Sequence, residues 1–133
     1  MTNFYFIPQN IMFFTRLQSP RTIKNLQYRF RNDAIVYAFR CQVNNLVYVG
    51  STLTPGRRFH NHLVTGKFSN PALQADITKF GVDKFTAYVF EIVVFPNGLS
   101  LDQKRQYLRD REQVHMSKFP DAQLYNAIRS SVT

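Results

Sequence analysis

Two tyrosines eleven positions apart, Tyr37 and Tyr48, are the first residues of this sequence whose spacing indicates chemistry. Each lies in a stretch rich in β-branched and aromatic residues, which predicts a strand. A phenol with a pKa of about 10 is a useful base at neutral pH only when nearby positive charge assists it. Gly50 follows the second tyrosine, and a glycine at the end of a strand leaves room for a backbone or a phosphate to approach the sheet.

A basic helix is predicted directly after this glycine. Thr54-Pro55 provides a capping hydroxyl and a proline at the first helical position, and the helix is expected to end at about Gly66. Arg58 and His62 are four positions apart, so they share one face of this helix. The guanidinium can donate two parallel hydrogen bonds to a phosphate. Taken singly, Arg58 would most often be a solvated helix residue, and His62 could be a structural histidine.

A glutamate lies on the inward face of the long helix predicted near the end of the chain. Ser100 and Gln103 form a capping box, and the helix is expected to reach about Phe119. A buried carboxylate is costly unless it meets a cation or a metal, so Glu112 is a candidate metal ligand. A salt bridge to Arg105, Arg109 or Arg111 is the alternative. The expected inward positions are Leu101, Leu108, Glu112, His115 and Phe119.

A β-hairpin must hold the two tyrosines together. Strands are predicted over Ala34–Val43 and Leu46–Ser51, joined by a two-residue turn at Asn44-Asn45. This turn pairs Val43 with Leu46, Cys41 with Tyr48 and Phe39 with Gly50. Because side chains alternate along a strand, both phenol rings then lie on one face, whereas a loop of odd length would separate them.

The remaining elements complete an α+β domain. A helix begins at Asn70-Pro71 and ends at Gly81, and a third strand covers Phe85 to Val94. We expect a basic aromatic leader over residues 1–33, the domain itself over 34–128, and a tail over 129–133.

Composition indicates a globular domain with a polyanionic partner. The 133 residues are 44% hydrophobic and carry a net charge of +9, which favours binding to nucleic acid or to an acidic membrane surface. No apolar run is long enough to span a membrane, and no secretory signal is present. Cys41 is the single cysteine, which excludes an intramolecular disulfide or a cysteine-rich zinc site. The leader, basic and without acids before Asp33, is expected to be poorly ordered, to follow the DNA backbone, or to act as an organellar transit peptide.

The ordered set of residues resembles the motifs of the GIY-YIG nucleases, especially their homing-endonuclease branch, from about Ala34 to Ile128. Ile35 stands where the first motif usually has glycine, and Phe68 where some homing members have histidine. The matching segments are Ile35-Val36-Tyr37, Tyr48-Val49-Gly50, Arg57-Arg58-Phe59, Asn70 to Gln74, Arg111-Glu112-Gln113 and Tyr125-Asn126.

The resemblance implies a three-stranded antiparallel sheet flanked by helices and a DNA endonuclease that uses one divalent ion, Mg²⁺ or Mn²⁺, held by Glu112. It further implies that Arg58 binds the scissile phosphate and that Tyr37 is the general base. Tyr48 would be the partner of Tyr37 at the phosphate or water, with the reverse assignment open. His62 would support a tyrosine by hydrogen bonding, and Asn126 would orient the phosphate or the glutamate. Further substrate-binding candidates are Gly50, Arg57 and Asn70.

Two other functions fit the same residues less fully: a non-catalytic basic DNA-binding protein, and a repair nuclease for damaged or branched DNA. A single site per chain indicates a monomer or a transient dimer on DNA. Many homing members continue into DNA-binding modules, and no groove-reading helix is identified in this sequence, so the target site is not predicted.

Overall fold

A four-stranded antiparallel sheet organises the chain. The computed structural model describes residues 3–128, so the predicted tail at 129–133 lies outside the described residues. The strands are β1 (Met12–Phe14), β2 (Ala34–Cys41), β3 (Val47–Thr52) and β4 (Phe85–Val93). Their order in the sheet is β1-β4-β2-β3, which leaves β3 at one edge.

Helices cover both faces of this sheet. Helix α2 (Pro55–Phe59) continues directly into a π-helical turn at His60–Val64. Three short 3-10 turns lie at Val82–Lys84, Asp121–Gln123 and Tyr125–Ala127. Within residues 3–128, no helix has the length and apolar character needed to cross a membrane. The α-helices are α1 (Pro20–Arg29), α2 (Pro55–Phe59), α3 (Pro71–Phe80) and α4 (Leu101–Met116).

The central strand β2 divides the core into two clusters. Tyr37 and Phe39 on one face pack with residues of α1, α2 and α3, among them Phe59. Val36 and Ala38 on the other face belong to a second cluster that includes residues of α4. Side chains alternate along β2, so helices on opposite faces reach neighbouring residues of the same sheet.

The hairpin register differs from the prediction by two residues. Tyr37 pairs with Gly50 and Phe39 with Tyr48, and the connection between the strands, residues 42–46, is five residues long. The Asn44 side chain accepts from the Leu46 amide, and Asn45 adopts a positive φ of 63°. These asparagine conformations form a wider turn than the predicted one. A shift of two keeps side-chain parity, so both tyrosines still share a face.

The leader is part of the fold, which corrects the expectation of poor order for the residues that the structure describes. Strand β1 pairs with β4 and adds a fourth strand to the three that were predicted. Leu17 and Leu26 are fully buried, and Phe30 is nearly so. Their burial contributes to the first core cluster, so this segment stabilises the domain.

Two of the three predicted helix starts have the expected cap. The Ser100 and Gln103 capping box forms, and the Asn70 side chain accepts from the Leu73 amide. Thr54 provides no side-chain cap; its amide instead donates to the Thr52 hydroxyl. Helix α4 ends at Met116, three residues before the predicted end.

The predicted inward stripe of α4 was wrong at its start. Leu101 is 55% exposed, whereas Leu108, His115 and Phe119 are buried. Leu101 is the first residue of the helix, and the buried residues of the helix lie further along it.

Candidate active site

The candidate site lies at the edge strand β3, around Gly50 and Ser51. Helix α2 follows β3 in the chain and packs with the Tyr37 face, while α4 packs against β3 and β2 from the other side. Residues 124–127 cover the edge of β3 at Val47 and Val49. Side chains from both helical layers can therefore meet at this edge.

Three predicted residues form a hydrogen-bonded cluster on the first face. The hydroxyl of Tyr37 lies 3.2 Å from Nε2 of His62, and Nη1 of Arg58 donates to the same hydroxyl at 3.3 Å. Tyr37 is 0% exposed and His62 5%. The structure thus brings the tyrosine of the predicted strand together with the arginine and the histidine of the predicted helix.

The protonation state of His62 follows from its two partners. Nδ1 of His62 is 2.9 Å from the carbonyl oxygen of Lys67, which can only accept, so Nδ1 carries a proton. Burial lowers the pKa of His62, and the ring is neutral at pH 7. A neutral ring protonated at Nδ1 accepts at Nε2. Tyr37 must therefore donate its hydroxyl proton to His62 while it accepts from Arg58.

Burial also raises the pKa of both tyrosine hydroxyls in the site. Desolvation raises the pKa of Tyr37 well above its ordinary value, the neighbouring Tyr48 adds to this, and the Arg58 guanidinium opposes it. Desolvation likewise raises the pKa of Tyr48, with a further contribution from the Glu112 carboxylate. Both tyrosines are protonated at rest, so either phenol needs a proton acceptor before it can act as a base.

The room above Gly50 is occupied by Tyr37. A Cβ atom at position 50 would lie 2.7 Å from Cζ and from the hydroxyl oxygen of Tyr37, and 3.0 Å from a ring carbon of Tyr48. The sequence analysis assigned this room to a phosphate or a backbone. The structure corrects the assignment: glycine is required here because the phenol of the opposite residue lies across the strand.

Glu112 approaches from the second face. Its Oε1 accepts from the Ser51 hydroxyl at 2.7 Å, and Glu112 is half-buried. Among the described residues it makes no ion pair, so the alternative of a salt bridge to Arg105, Arg109 or Arg111 was wrong. Arg111 instead binds Glu91: its Nε donates to both carboxylate oxygens of Glu91 at 3.0 Å.

The donor set around Glu112 suits a hard cation. Glu112 has an oxygen that is not bonded to Ser51, and the Ser51 hydroxyl places a neutral oxygen beside the carboxylate. Magnesium prefers oxygen ligands and is commonly held by one or two carboxylates, with water and phosphate completing its shell. No group of three or more His, Cys, Asp or Glu side chains in residues 3–128 could hold a metal ion. The residues therefore fit a magnesium bound through a single carboxylate and do not fit a zinc cage.

Asn126 is used by the backbone of β3. Its Oδ1 accepts from the Val49 amide at 3.0 Å, and its Nδ2 donates to the Val49 carbonyl at 2.8 Å. The side-chain amide of Asn126 thus binds both backbone polar groups of Val49, the residue between Tyr48 and Gly50. The arrangement places Asn126 as a clamp on the strand that carries the second motif.

The other two predicted substrate contacts differ in availability. Asn70 accepts from Leu73 and donates to the Tyr125 carbonyl, so both ends of its amide are occupied. Arg57 is exposed in the last turn of α2, next to Arg58. Only Arg57 of this pair has a side chain directed to solvent.

Two residues near the site were not predicted as functional. Phe68 stacks on the His62 ring with centroids 4.5 Å apart and an angle of 4°, which helps to fix the imidazole. Ser51 binds Glu112. Ser51 follows the second motif directly, and alternation indicated that it points away from Tyr48, but the helix that it meets is decided only by the tertiary fold.

Comparison with known proteins agrees with this geometry. A family model for the GIY-YIG catalytic domain matches residues 33–98, which include the two tyrosines, Arg58 and His62. Residues 33–98 of this chain form a GIY-YIG domain. The four-stranded sheet flanked by helices is consistent with that α+β fold, with one strand more than predicted.

One relative extends the similarity beyond this catalytic domain. The chain is 30% identical over 119 residues to a protein from Neurospora crassa named probable intron-encoded endonuclease 1. The match covers 90% of this chain and 38% of that protein, so the chain spans well under half of its relative's length. No solved structure matches the chain.

Proposed function

We propose that this chain is a DNA endonuclease of the homing type that hydrolyses phosphodiester bonds with one divalent ion, Mg²⁺ or Mn²⁺. The observation that carries the proposal is the meeting of two separately held parts at Gly50 and Ser51. The bonded Tyr37, Arg58 and His62 lie on one side, and the Glu112 carboxylate lies on the other. A site that only binds phosphate needs cations, but neither buried phenols nor a carboxylate without an ion pair.

Proton transfer is the role that the buried cluster supports. Tyr37 passes its hydroxyl proton to Nε2 of His62 and takes one from the attacking water, while Arg58 stabilises the phenolate that forms. The water oxygen bonds to phosphorus, the bond to the leaving sugar oxygen breaks, and this oxygen takes a proton from solvent. The raised pKa of Tyr48 keeps its hydroxyl protonated, so it can donate to a phosphate oxygen.

Charge stabilisation is the role of the remaining groups. Arg58 lies where its guanidinium can contact both Tyr37 and a phosphate, because only Nη1 is used by the tyrosine. Glu112 would hold the metal ion, which when bound supplies positive charge at the phosphate and lowers the pKa of bound water. The net charge of +9 favours the DNA polyanion that these groups require.

Cleavage of supercoiled plasmid DNA in magnesium tests the proposal. Nicked and linear products are expected from the wild type, and Glu112→Gln and Arg58→Ala should each reduce the rate by about 10²-fold or more. Asp110→Asn is the control carboxylate, because Asp110 is exposed on the same helix as Glu112 and accepts a hydrogen bond from Gln106. Unchanged cutting by Glu112→Gln or Arg58→Ala would refute the assignment. DNA binding without cutting by the wild type would identify a non-catalytic DNA-binding protein.

A further inference from the structure

Arginines line a cleft beside the proposed site. This cleft, called here the arginine cleft, has a volume of about 440 Å³ and lies between the end of β3, α2 and α4. Its walls contain no aspartate or glutamate among the described residues. The guanidinium groups in its walls belong to Arg57, Arg58, Arg105 and Arg109.

Few contacts within the chain neutralise these cations. Arg105 has an ion pair with Asp102 at 3.6 Å, but the two side chains are 53% and 94% exposed, so the pair is weak. Arg109 donates to the neutral Gln106 on its own helix. Arg57 makes no ion pair or side-chain hydrogen bond with any residue in 3–128. Converging like charges repel, so an anion from outside the chain would stabilise the arginine cleft.

The order of residues along α4 indicates the path that an extended polyanion would follow. Arg105, Arg109 and Glu112 follow each other at spacings of four and three, which places them on one side of the helix. With a rise of about 1.5 Å per residue, Arg109 lies about 4.5 Å and Arg105 about 10.5 Å from Glu112 along the helix axis. A polyanion with one phosphate between Arg58 and Glu112 would therefore continue past Arg109 and Arg105.

We propose that the arginine cleft is a second phosphate-binding site, which takes a phosphate of the same DNA strand next to the one that is cut. Arg57 contributes from α2, and Arg105 and Arg109 contribute from α4. The proposal rests on the proposed function, because the strand direction is defined by the phosphate that is cut. Guanidinium groups suit this ligand, since each presents planar donors to phosphate oxygens.

The salt dependence of DNA binding tests this site without requiring cleavage. The probe is a fluorescein-labelled 30-base-pair duplex, and its affinity is measured by anisotropy between about 50 and 200 mM salt without divalent ions. For Arg105→Gln/Arg109→Gln we expect a slope of log affinity against log salt that is about 0.9 shallower, because loss of the contact to one phosphate removes about 0.9. The affinity itself should fall about tenfold.

A charge-matched variant separates a site from general attraction. Lys79→Gln/Lys84→Gln removes the same charge from exposed positions on α3 and the following turn, and its slope should change by less than about 0.5. Equal effects of the two double variants would overturn the arginine cleft as a site, while leaving the cleavage assay and the endonuclease proposal intact. If the wild type does not cut DNA but the slopes differ as expected, the endonuclease proposal fails and the binding site stands.

Discussion

The buried tyrosine cluster and the Glu112 carboxylate face the same strand edge but are held in opposite ways. Tyr37 is fully buried and bonded to His62 and Arg58, and the Phe59 ring packs against it. Glu112 is half-buried and has one neutral hydrogen-bond partner, Ser51. The cluster is fixed before any substrate binds, whereas the carboxylate retains capacity for an external cation.

The contrast with Glu91 explains why Glu112 keeps this capacity. Although burial acts in the opposite direction, hydrogen bonds from Arg111 and His115 bring the pKa of Glu91 below its ordinary value. Glu91 thereby takes the neighbouring arginine that would otherwise satisfy Glu112. Variants of the cluster should consequently affect stability and activity together, whereas Glu112→Gln should affect activity with little change in stability.

Tyr37→Phe should give the largest combined effect. Loss of the hydroxyl removes the proposed base, so we expect cleavage to fall by about 10²-fold to 10⁴-fold. It also leaves buried Nε2 of His62 without its donor, which should lower the free energy of unfolding by about 1–3 kcal/mol. Cleavage assays and urea unfolding measure the two effects. Tyr107→Phe on α4 is the control and should change neither, and wild-type cleavage by Tyr37→Phe would exclude it as the base.

Gly50→Ala should disturb the cluster through sterics alone. The added Cβ would lie 2.7 Å from the Tyr37 ring and hydroxyl, so the phenol must move away from His62. We expect the free energy of unfolding to fall by about 1–3 kcal/mol and cleavage to fall with it. Gly56→Ala is the matched control, because its nearest neighbour is the Gln27 carbonyl oxygen at 3.6 Å. Wild-type stability of Gly50→Ala would show that the phenol position is not fixed by this glycine.

Asn126→Ala tests whether Asn126 stabilises strand β3 or contacts the substrate. Removing the amide leaves the Val49 N–H and carbonyl unpaired, and we expect a loss of about 1–3 kcal/mol in the free energy of unfolding. Asn32→Ala, at an exposed turn, should be close to neutral. Reduced cleavage with unchanged unfolding would instead support the predicted role of Asn126 in orienting the phosphate or Glu112.

The smallest expected effect is a pH dependence of stability from His62. Because burial lowers the pKa of His62 in the folded protein, the unfolded chain binds the proton more readily. Stability should therefore fall as pH decreases from about 6.5 and level off below the lowered folded pKa. Thermal unfolding of wild type and His62→Gln between about pH 4.5 and 7.5 measures it. The difference between the two proteins should shrink towards low pH, and a constant difference would contradict a neutral buried His62.

Local patterns predicted most of the elements of the fold. Capping residues at Asn70 and Ser100 located two helices, and alternation placed Tyr37 and Tyr48 on one face. The turn at Asn44 and Asn45 was identified but its length was not, because side-chain bonding of Asn44 selects a wider loop. The leader was misjudged because a three-residue strand becomes stable only when β4 provides its partner.

The sequence by itself determined which groups this protein has for chemistry: two phenols at strand spacing, an arginine and histidine one helical turn apart, and one acid on a later helix. Those are short-range features, fixed by strand and helix periodicity. Only the tertiary structure decided that Tyr37 donates to His62, that Ser51 holds Glu112, and that Asn126 clamps Val49. These contacts join residues 25 to 77 positions apart, and their partners depend on how helices pack on a shared sheet edge.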